Sequence, residues 1–266
     1  MEADVDRVFM AIQLLTEGMG VNAACRVTGL HKSTVLKSIL IIGEKCQRFL
    51  DAKIKDVSVN MVSIDEQWQH IGAKERNKGD QHYGDSWFYC GIDHDSRMIL
   101  AHAIGRRTVA TTRAFLGKLR RSIAGRCQIN ADGFNQYRHN IPFIFHGEVD
   151  YGMCIKSFSN ANFSRRYSPG TINSLRKEDV FGSPDMDRVS TAYSERFNLA
   201  MRNSLRRFTR LTSCFSKSFD HHCAMVAIFV AKYNFCTVHG TIKQVPAVAA
   251  GVTNRKWKLR EIAEAA

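Results

Sequence analysis

The sequence predicts an α/β protein: a mixed sheet with helices on its faces, preceded by a small all-helical unit. Through residue 57 the apolar positions recur at helical spacing, with glycines between the runs. From Ser58 three runs take up the two-residue alternation of strands. Helical and strand patterns then take turns, as they do where helices cover the faces of a sheet.

The first helix, residues 5–17, carries Val8, Phe9, Ile12 and Leu15 and is ended by Gly18 and Gly20. Residues 21–28 form a second, short helix with the small residues Ala23, Ala24 and Cys25. After a turn at Gly29, a third begins near Lys32 or Ser33, runs through Val35 and Ile39, and continues over residues 44–56. Short helix, glycine turn, longer helix is the pattern of a helix-turn-helix, whose later helix enters the major groove of DNA. His31, Lys32, Ser33, Thr34 and Lys37 are placed to meet it. A small bundle for packing or dimerisation would show the same pattern. The expected division is a DNA-binding domain over 1–57 and a catalytic domain over 58–266.

The strands expected next are 62–71, with Asp65 in its middle, then 87–93 and 98–104, joined by a turn at 93–97. Residues 111–124 form a helix with Phe115, Leu116 and Leu119 as its apolar stripe. A short strand at 127–131 is stopped by Asp132-Gly133; a helix around 135–139 and a strand at 153–158 follow. Residues 159–189, rich in Ser, Asn, Gly, Pro and Arg, read as an extended connection. There Arg165, Arg166 and Tyr167 suit either a DNA backbone or a plain surface loop. A helix at Glu195 comes next, then one over 220–233 that brings Met225, Ile228 and Phe229 to the core, and a short helix start at Lys256 to Leu259.

Thirty-eight Lys and Arg against 25 Asp and Glu give 266 residues a net charge of +13. Such an excess calls for a polyanionic partner, of which double-stranded DNA is the expected one. An anionic membrane would want a basic amphipathic helix with an exposed apolar face, and none is legible. The longest strongly apolar run, 224–231, is too short to span a bilayer, and the first residues lack the basic region of a signal peptide. The expected location is intracellular, with no membrane partner. Eight cysteines without a C-x-x-C pair read as free, mostly buried small hydrophobes. His222, Cys223, Cys236 and His239 lack the spacing of a zinc set.

Residues 190–218 carry the most information. Glu195 is followed by no acid until Asp220, while Arg196, Arg202, Arg206, Arg207, Arg210 and Lys217 accumulate. At helical period Glu195, Asn198, Arg202 and Arg206 fall near one face, and Phe197, Leu205 and Phe208 face a core. An isolated acid among arginines suits a site that holds a divalent cation while gripping phosphates. It also suits a solvated basic helix with a first-turn acid.

Chemistry on phosphodiesters commonly uses two Mg2+ ions, replaceable by Mn2+, held by carboxylates. Three acids qualify. Asp65 is charged in the middle of an apolar strand, which is costly unless it is paired or metal-bound. Asp132 ends a strand where α/β sheets place ligands. Glu195 heads the arginine-rich helix. Each has an ordinary rival: an arginine partner for Asp65, a turn for Asp132-Gly133. Glu66 is expected on the opposite face from Asp65, outside the site. Asp93 and Asp95 could replace one of the three, though they sit in a turn. No G-x-S-x-G elbow, Walker loop or dinucleotide fingerprint is present, so no organic cofactor is expected.

At these residues the chain resembles a known family. SIDEQW at 63–68, INADGFNQY at 129–137 and YSERFNLAMRNSLRRFTRLTSCFSKS at 193–218 resemble the bacterial DDE transposases of the insertion-sequence-one family. RVTGLHKSTVLK at 26–37 is similar to the helix-turn-helix of its longer members, and YNFCTVHGTIKQVPAVAAGV at 233–252 to their ending. The resemblance implies an RNase H-like fold with Asp65, Asp132 and Glu195 as catalytic, metal-binding triad. Arg202 matches a basic residue two helical turns beyond the glutamate. Ala131 stands where members usually have Ser or Thr, and the amino-terminal cysteine ribbon of some relatives is missing. The implied activity is binding of the inverted repeats of an insertion sequence, strand cleavage and strand transfer by a dimer or larger assembly. Arg196, Asn198, Arg202, Arg206, Arg207 and Arg210 would contact DNA beside the cut. A sequence-specific DNA-binding regulator, or a decayed transposase that no longer cuts, is the alternative; a nuclease of the same fold is the third reading.

Overall fold

The computed structural model describes residues 2–79, 83–158, 172–209 and 212–266. The chain opens with three helices, α1 (Glu2–Thr16), α2 (Val21–Thr28) and α3 (Lys32–Lys53). Gly29, at a φ of 70°, closes α2 by donating its N–H to the Cys25 carbonyl, a left-handed cap that only glycine adopts cheaply. His31 then caps α3, its ring nitrogen accepting from the Ser33 N–H at 3.3 Å. The 22 residues of α3 bury Val35, Ile39, Ile42, Cys46 and Phe49 on one side.

The rest of the chain runs β1 (Val57–Ser58), β2 (Met61–Ile71), β3 (Gly84–Asp93), β4 (Ile99–Gly105), α4 (Val109–Ser122), β5 (Ile123–Ala124), β6 (Cys127–Ala131), α5 (Asn135–Ile144), β7 (Val149–Phe158), β8 (Ile172–Phe181), α6 (Ala192–Ser204), α7 (Phe219–Ala231), α8 (Pro246–Ala249) and α9 (Leu259–Glu264). Six strands form one mixed sheet in the order β4-β3-β2-β6-β7-β8. β2, β6 and β7 are parallel neighbours; β3 is antiparallel to β2 and β4, and β8 antiparallel to β7. β1 and β5 make a separate parallel pair.

Successive residues of β3 identify what covers each face. Tyr89 packs on Phe115 of α4, whereas Phe88 packs on Phe197 of α6 and on Phe208. Helices therefore flank both faces, with α7 lying between α6 and α3. Residues Ala224 to Ala231 of α7 are all buried, as a helix with neighbours on several sides requires. α3 packs along α7, and α9 closes on α3 through Lys45, which donates to the Ala263 carbonyl at 2.7 Å.

Two expectations need correction. Residues 159–189 are not one connection, because β8 pairs antiparallel with β7 from Tyr151↔Phe181 to Phe158↔Ile172. As an edge strand exposed on both faces, β8 has no apolar alternation to betray it. Arg165, Arg166 and Tyr167 lie outside the described residues. The helix at Glu195 stops at Ser204, where Asn203 and Ser204 compete for backbone bonds. Leu205 is extended and a 3-10 turn, Arg206–Phe208, follows, so Arg206 leaves the face of Glu195. Phe197, Leu205 and Phe208 are nevertheless buried as expected.

All eight cysteines are free, Cys46, Cys90, Cys127 and Cys154 fully buried. Among the described residues no helix is long and apolar enough to cross a membrane.

Candidate active site

β2 and β6 pair only from Met61↔Gln128 to Ser63↔Asn130 and then part. Asp65 lies two residues beyond the last pair on β2, and Asp132 is the first residue after β6. The fork between the strands opens a cleft of about 470 Å³, which Asp65, Asp132 and Glu195 all line, with Arg107 and Lys156. Larger cavities, of about 740 and 830 Å³, lie elsewhere.

Each acid is held by identifiable partners. Asp65 Oδ2 accepts from the Asn198 amide at 2.7 Å, and its Oδ1 from the Glu66 N–H at 2.8 Å. Asp132 Oδ1 accepts from the Phe134 N–H at 2.9 Å, the side chain folding back over the turn that follows β6. Glu195, in the first turn of α6, accepts from Thr191 Oγ1 at 2.7 Å and is ion-paired with Lys156 of β7.

Glu66 departs from its expected position. Its carboxylate, that of Asp65 and that of Asp132 bring one oxygen each to within 4.8 Å of one another. Alternation sends the two β2 side chains to opposite faces. Past Ser63, however, the β6 side of β2 is unpaired, and the longer Glu66 chain reaches round that open edge. Arg107 Nε at 2.8 Å and Tyr137 Oη at 2.9 Å secure it there. Arg107 also stacks on the Phe134 ring at 4.0 Å. Nothing local in the sequence pairs Glu66 with Arg107, 41 residues away.

Crowded carboxylates away from water resist ionisation. Burial, then Asp132 and Glu66, push the Asp65 carboxyl up to about 8. Burial, then Asp132, push Glu66 up to about 7, with Arg107 opposing; burial raises Asp132 as well. Three close, hard oxygen donors that repel one another are the donor set a divalent cation neutralises. The metal-free folded protein thus keeps protons at Asp65 and Glu66 that the unfolded chain releases near pH 4. That part of the stability is complete below about pH 4 and is lost as pH rises through about 7 to 8. A bound cation displaces those protons. Mg2+ is therefore expected to raise Tm clearly more at about pH 8.5 than at about pH 5.5 in thermal melts. Equal shifts at both would argue against this cluster as the binding site.

The residues expected at DNA divide into groups. His31, Lys32, Ser33, Thr34 and Lys37 are exposed at the start of α3, and Arg196 is exposed on α6. Lys32, Arg206 and Arg207 come together with Arg26 and Lys217 around the 830 Å³ cleft between the first helices and residues 206–207 and 213–218. Arg26 and Lys217 had not been singled out for this role. Arg207 turns inward, donating to Ser216 Oγ at 3.1 Å and to the His221 carbonyl at 3.0 Å. Asn198 is a correction: it is buried and its amide serves Asp65. Arg202 is half-buried on α6, and Arg210 lies outside the described residues. Asp93, the possible substitute acid, is buried and accepts from Ser96 in its turn.

Residues 58–149, which contain Asp65, Glu66, Arg107 and Asp132, match the family described as IS1 transposase. Over these residues the chain is similar to IS1 transposases. The insertion element iso-IS1n protein InsB of Shigella dysenteriae is 24% identical over 172 residues, 65% of this chain and 95% of that protein. Among solved structures, a cryo-EM simian T-cell lymphotropic virus intasome in complex with PP2A regulatory subunit B56 gamma aligns over 87% of this chain and 70% of its own. Its TM-score is 0.44, at 11% identity. The matched segment ends at Val149, the first residue of β7, so Lys156 and Glu195, which complete the cleft, and Asn198, which holds Asp65, lie beyond it.

Proposed function

We propose that the chain is a DDE transposase of RNase H-like fold. It binds the terminal inverted repeats of its insertion sequence, cleaves a strand at each end and joins the freed 3′-hydroxyl to target DNA. The observation that supports this best is the convergence of Asp65, Asp132 and Glu195 on one cleft in a chain of net charge +13. Asp65 and Asp132 would hold two Mg2+ ions, or Mn2+ in their place, with Glu195 completing the set. Such ions activate the attacking oxygen and stabilise the leaving one.

The protein's own part is positioning and charge. Asn198 holds the Asp65 carboxylate by its Oδ2, and the Glu66 N–H holds it by Oδ1. Arg107 and Tyr137 keep Glu66 at the cluster, where it balances cation charge. Lys156 is ready to exchange Glu195 for a phosphate once a cation claims the carboxylate. Arg196, Arg202 and Arg206 would grip backbone phosphates, and His31, Lys32, Ser33, Thr34 and Lys37 the repeat. Residues 1–57 act as the DNA-reading unit and 58–266 as the catalytic one. Bringing two ends together calls for a dimer or larger assembly.

Asn198→Ala is expected to weaken Mg2+ binding by roughly 10- to 100-fold, because the ligand it orients is set free. A Mg2+ titration of cleavage rate or of melting temperature measures this. The function itself is tested by incubating the protein with DNA carrying its element's ends. Metal-dependent nicks at those ends, followed by joined products, are expected. A footprint on the ends with no cleavage in Mg2+ or Mn2+ would make the protein a DNA-binding regulator instead.

A further inference from the structure

Between the acid cleft and the far end of β2 the strand is built against the usual hydrophobic rule. Gln67 and Gln69 are 2% and 5% exposed, while Trp68 between them is 40% exposed. Neither the amide nitrogen nor the amide oxygen of Gln67 has a hydrogen-bond partner among the described residues. A strand normally buries the indole and solvates the amides. Here the parity that sets Asp65 at the cleft fixes the opposite arrangement, since one step of slip would carry Asp65 away. Glu66, Trp68 and His70 share the other face. It is covered at Glu66 by Tyr137 and Arg107 and left open at Trp68.

Trp68 is part of a row. Its ring lies 5.8 Å from that of His70, and His70 lies 4.5 Å from Phe215. Lys217 Nζ stands 3.1 Å from the Phe215 ring centre. The row begins three residues along β2 from Asp65, roughly 10 Å away. It ends where the Gly72 N–H donates to the Ser216 carbonyl at 2.8 Å, which ties β2 to residues 206–218. Phe215 and Lys217 also line the 830 Å³ basic cleft shared with Arg26 and Lys32. The aromatic row therefore runs from the basic cleft to Trp68, which shares its face of β2 with Glu66.

We propose that Trp68 is a stacking site for an unpaired base of the DNA strand that enters the acid cleft, with His70 and Phe215 continuing the platform. This rests on the transposase reading above. Rings that alternate with cations suit single-stranded nucleic acid, whose bases offer free faces while its phosphates need charge. A base inside a duplex has both faces covered and cannot use the site. The strand about to be cut would be opened next to the carboxylates and held open by the indole.

The test uses the full chain without divalent metal, so that no cleavage occurs. Two probes are a fully paired duplex and the same duplex with a short unpaired tail containing 2-aminopurine. The tailed probe should bind more tightly than the paired one, with its 2-aminopurine emission quenched. Trp68→Ala should lose that quenching and bind the tailed probe about 10-fold or more weakly, with the paired duplex bound as before. Trp68→Phe should keep most of both signals. Unchanged paired-duplex binding shows that Trp68→Ala is folded. Equal binding of the tailed probe by Trp68→Ala and the unaltered protein overturns the proposal, as does an equal loss on both probes. So does a Trp68→Ala protein whose oligomeric state changes in the absence of DNA, because the indole would then be a contact between copies. If the unaltered protein binds neither probe, the transposase reading falls first and this inference with it.

Discussion

Asp65→Asn is expected to abolish the metal-dependent strand cleavage proposed above while leaving DNA binding within a few-fold of the unaltered protein. The substitution keeps the shape of the side chain and removes its charge. One of its oxygens lies at the fork of β2 and β6, within 4.8 Å of one oxygen each of Glu66 and Asp132. A metal contributes several kcal/mol to the stabilisation of transition-state charge, so the expected loss in cleavage rate is on the order of 10³-fold or greater. The same protein should melt at a higher temperature at alkaline pH without metal. Burial and Asp132 hold the Asp65 carboxyl up at about 8, and ionising it costs stability that an amide does not lose. Lost activity together with raised metal-free Tm separates a ligand from a structural acid. Asp65→Asn cutting at an undiminished rate would end the mechanism; Glu195→Gln should behave likewise in the cleavage assay.

Gly43→Ala is expected to destabilise the protein by about 2 kcal/mol, although alanine is the better helix former. Gly43 lies within α3, and a Cβ there would meet Ala224 of α7 at 2.5 Å from its Cβ, 2.6 Å from its Cα and 2.8 Å from its carbonyl oxygen. Backbone cannot swing aside as a side-chain tip can, so α3 and α7 must separate, and the strain outweighs the propensity gain of about 1 kcal/mol. Gly117, within α4, is the control. A Cβ there approaches only the end of Arg121 at 3.6 Å, and Gly117→Ala should stabilise by up to about 1 kcal/mol. Urea unfolding of the three proteins measures both. If Gly43→Ala and Gly117→Ala shift the midpoint in the same direction, the close crossing of α3 on α7 is wrong.

The elements most legible in the sequence are those whose signals are local. Gly29 marks the end of α2 because its left-handed cap needs no distant partner. The Asp132-Gly133 turn marks the end of β6, and the 3.6-residue spacing of Phe115 and Leu119 marks α4. β8 was illegible because an edge strand exposed on both faces has no pattern to read. The end of α6 was misjudged because arginine and phenylalanine suit a helix as well as the 3-10 turn that replaces it.

The candidate site follows the same division. Charge in an apolar strand marked Asp65, a strand end marked Asp132, and an acid alone among arginines marked Glu195; these are properties of each residue and its neighbours along the chain. What surrounds them depended on tertiary structure. The parting of β2 from β6 let Glu66 round the strand edge to Arg107, and α6 set Asn198 against Asp65 instead of DNA. It also left Trp68 outside while two glutamines went in. Sequence alone determined which residues carry charge and which segments are helix or strand, because propensity, capping and periodicity act within a few residues. Only the tertiary structure decided which charges neutralise one another and which ring stays bare, because those depend on strands that pair and part far along the chain.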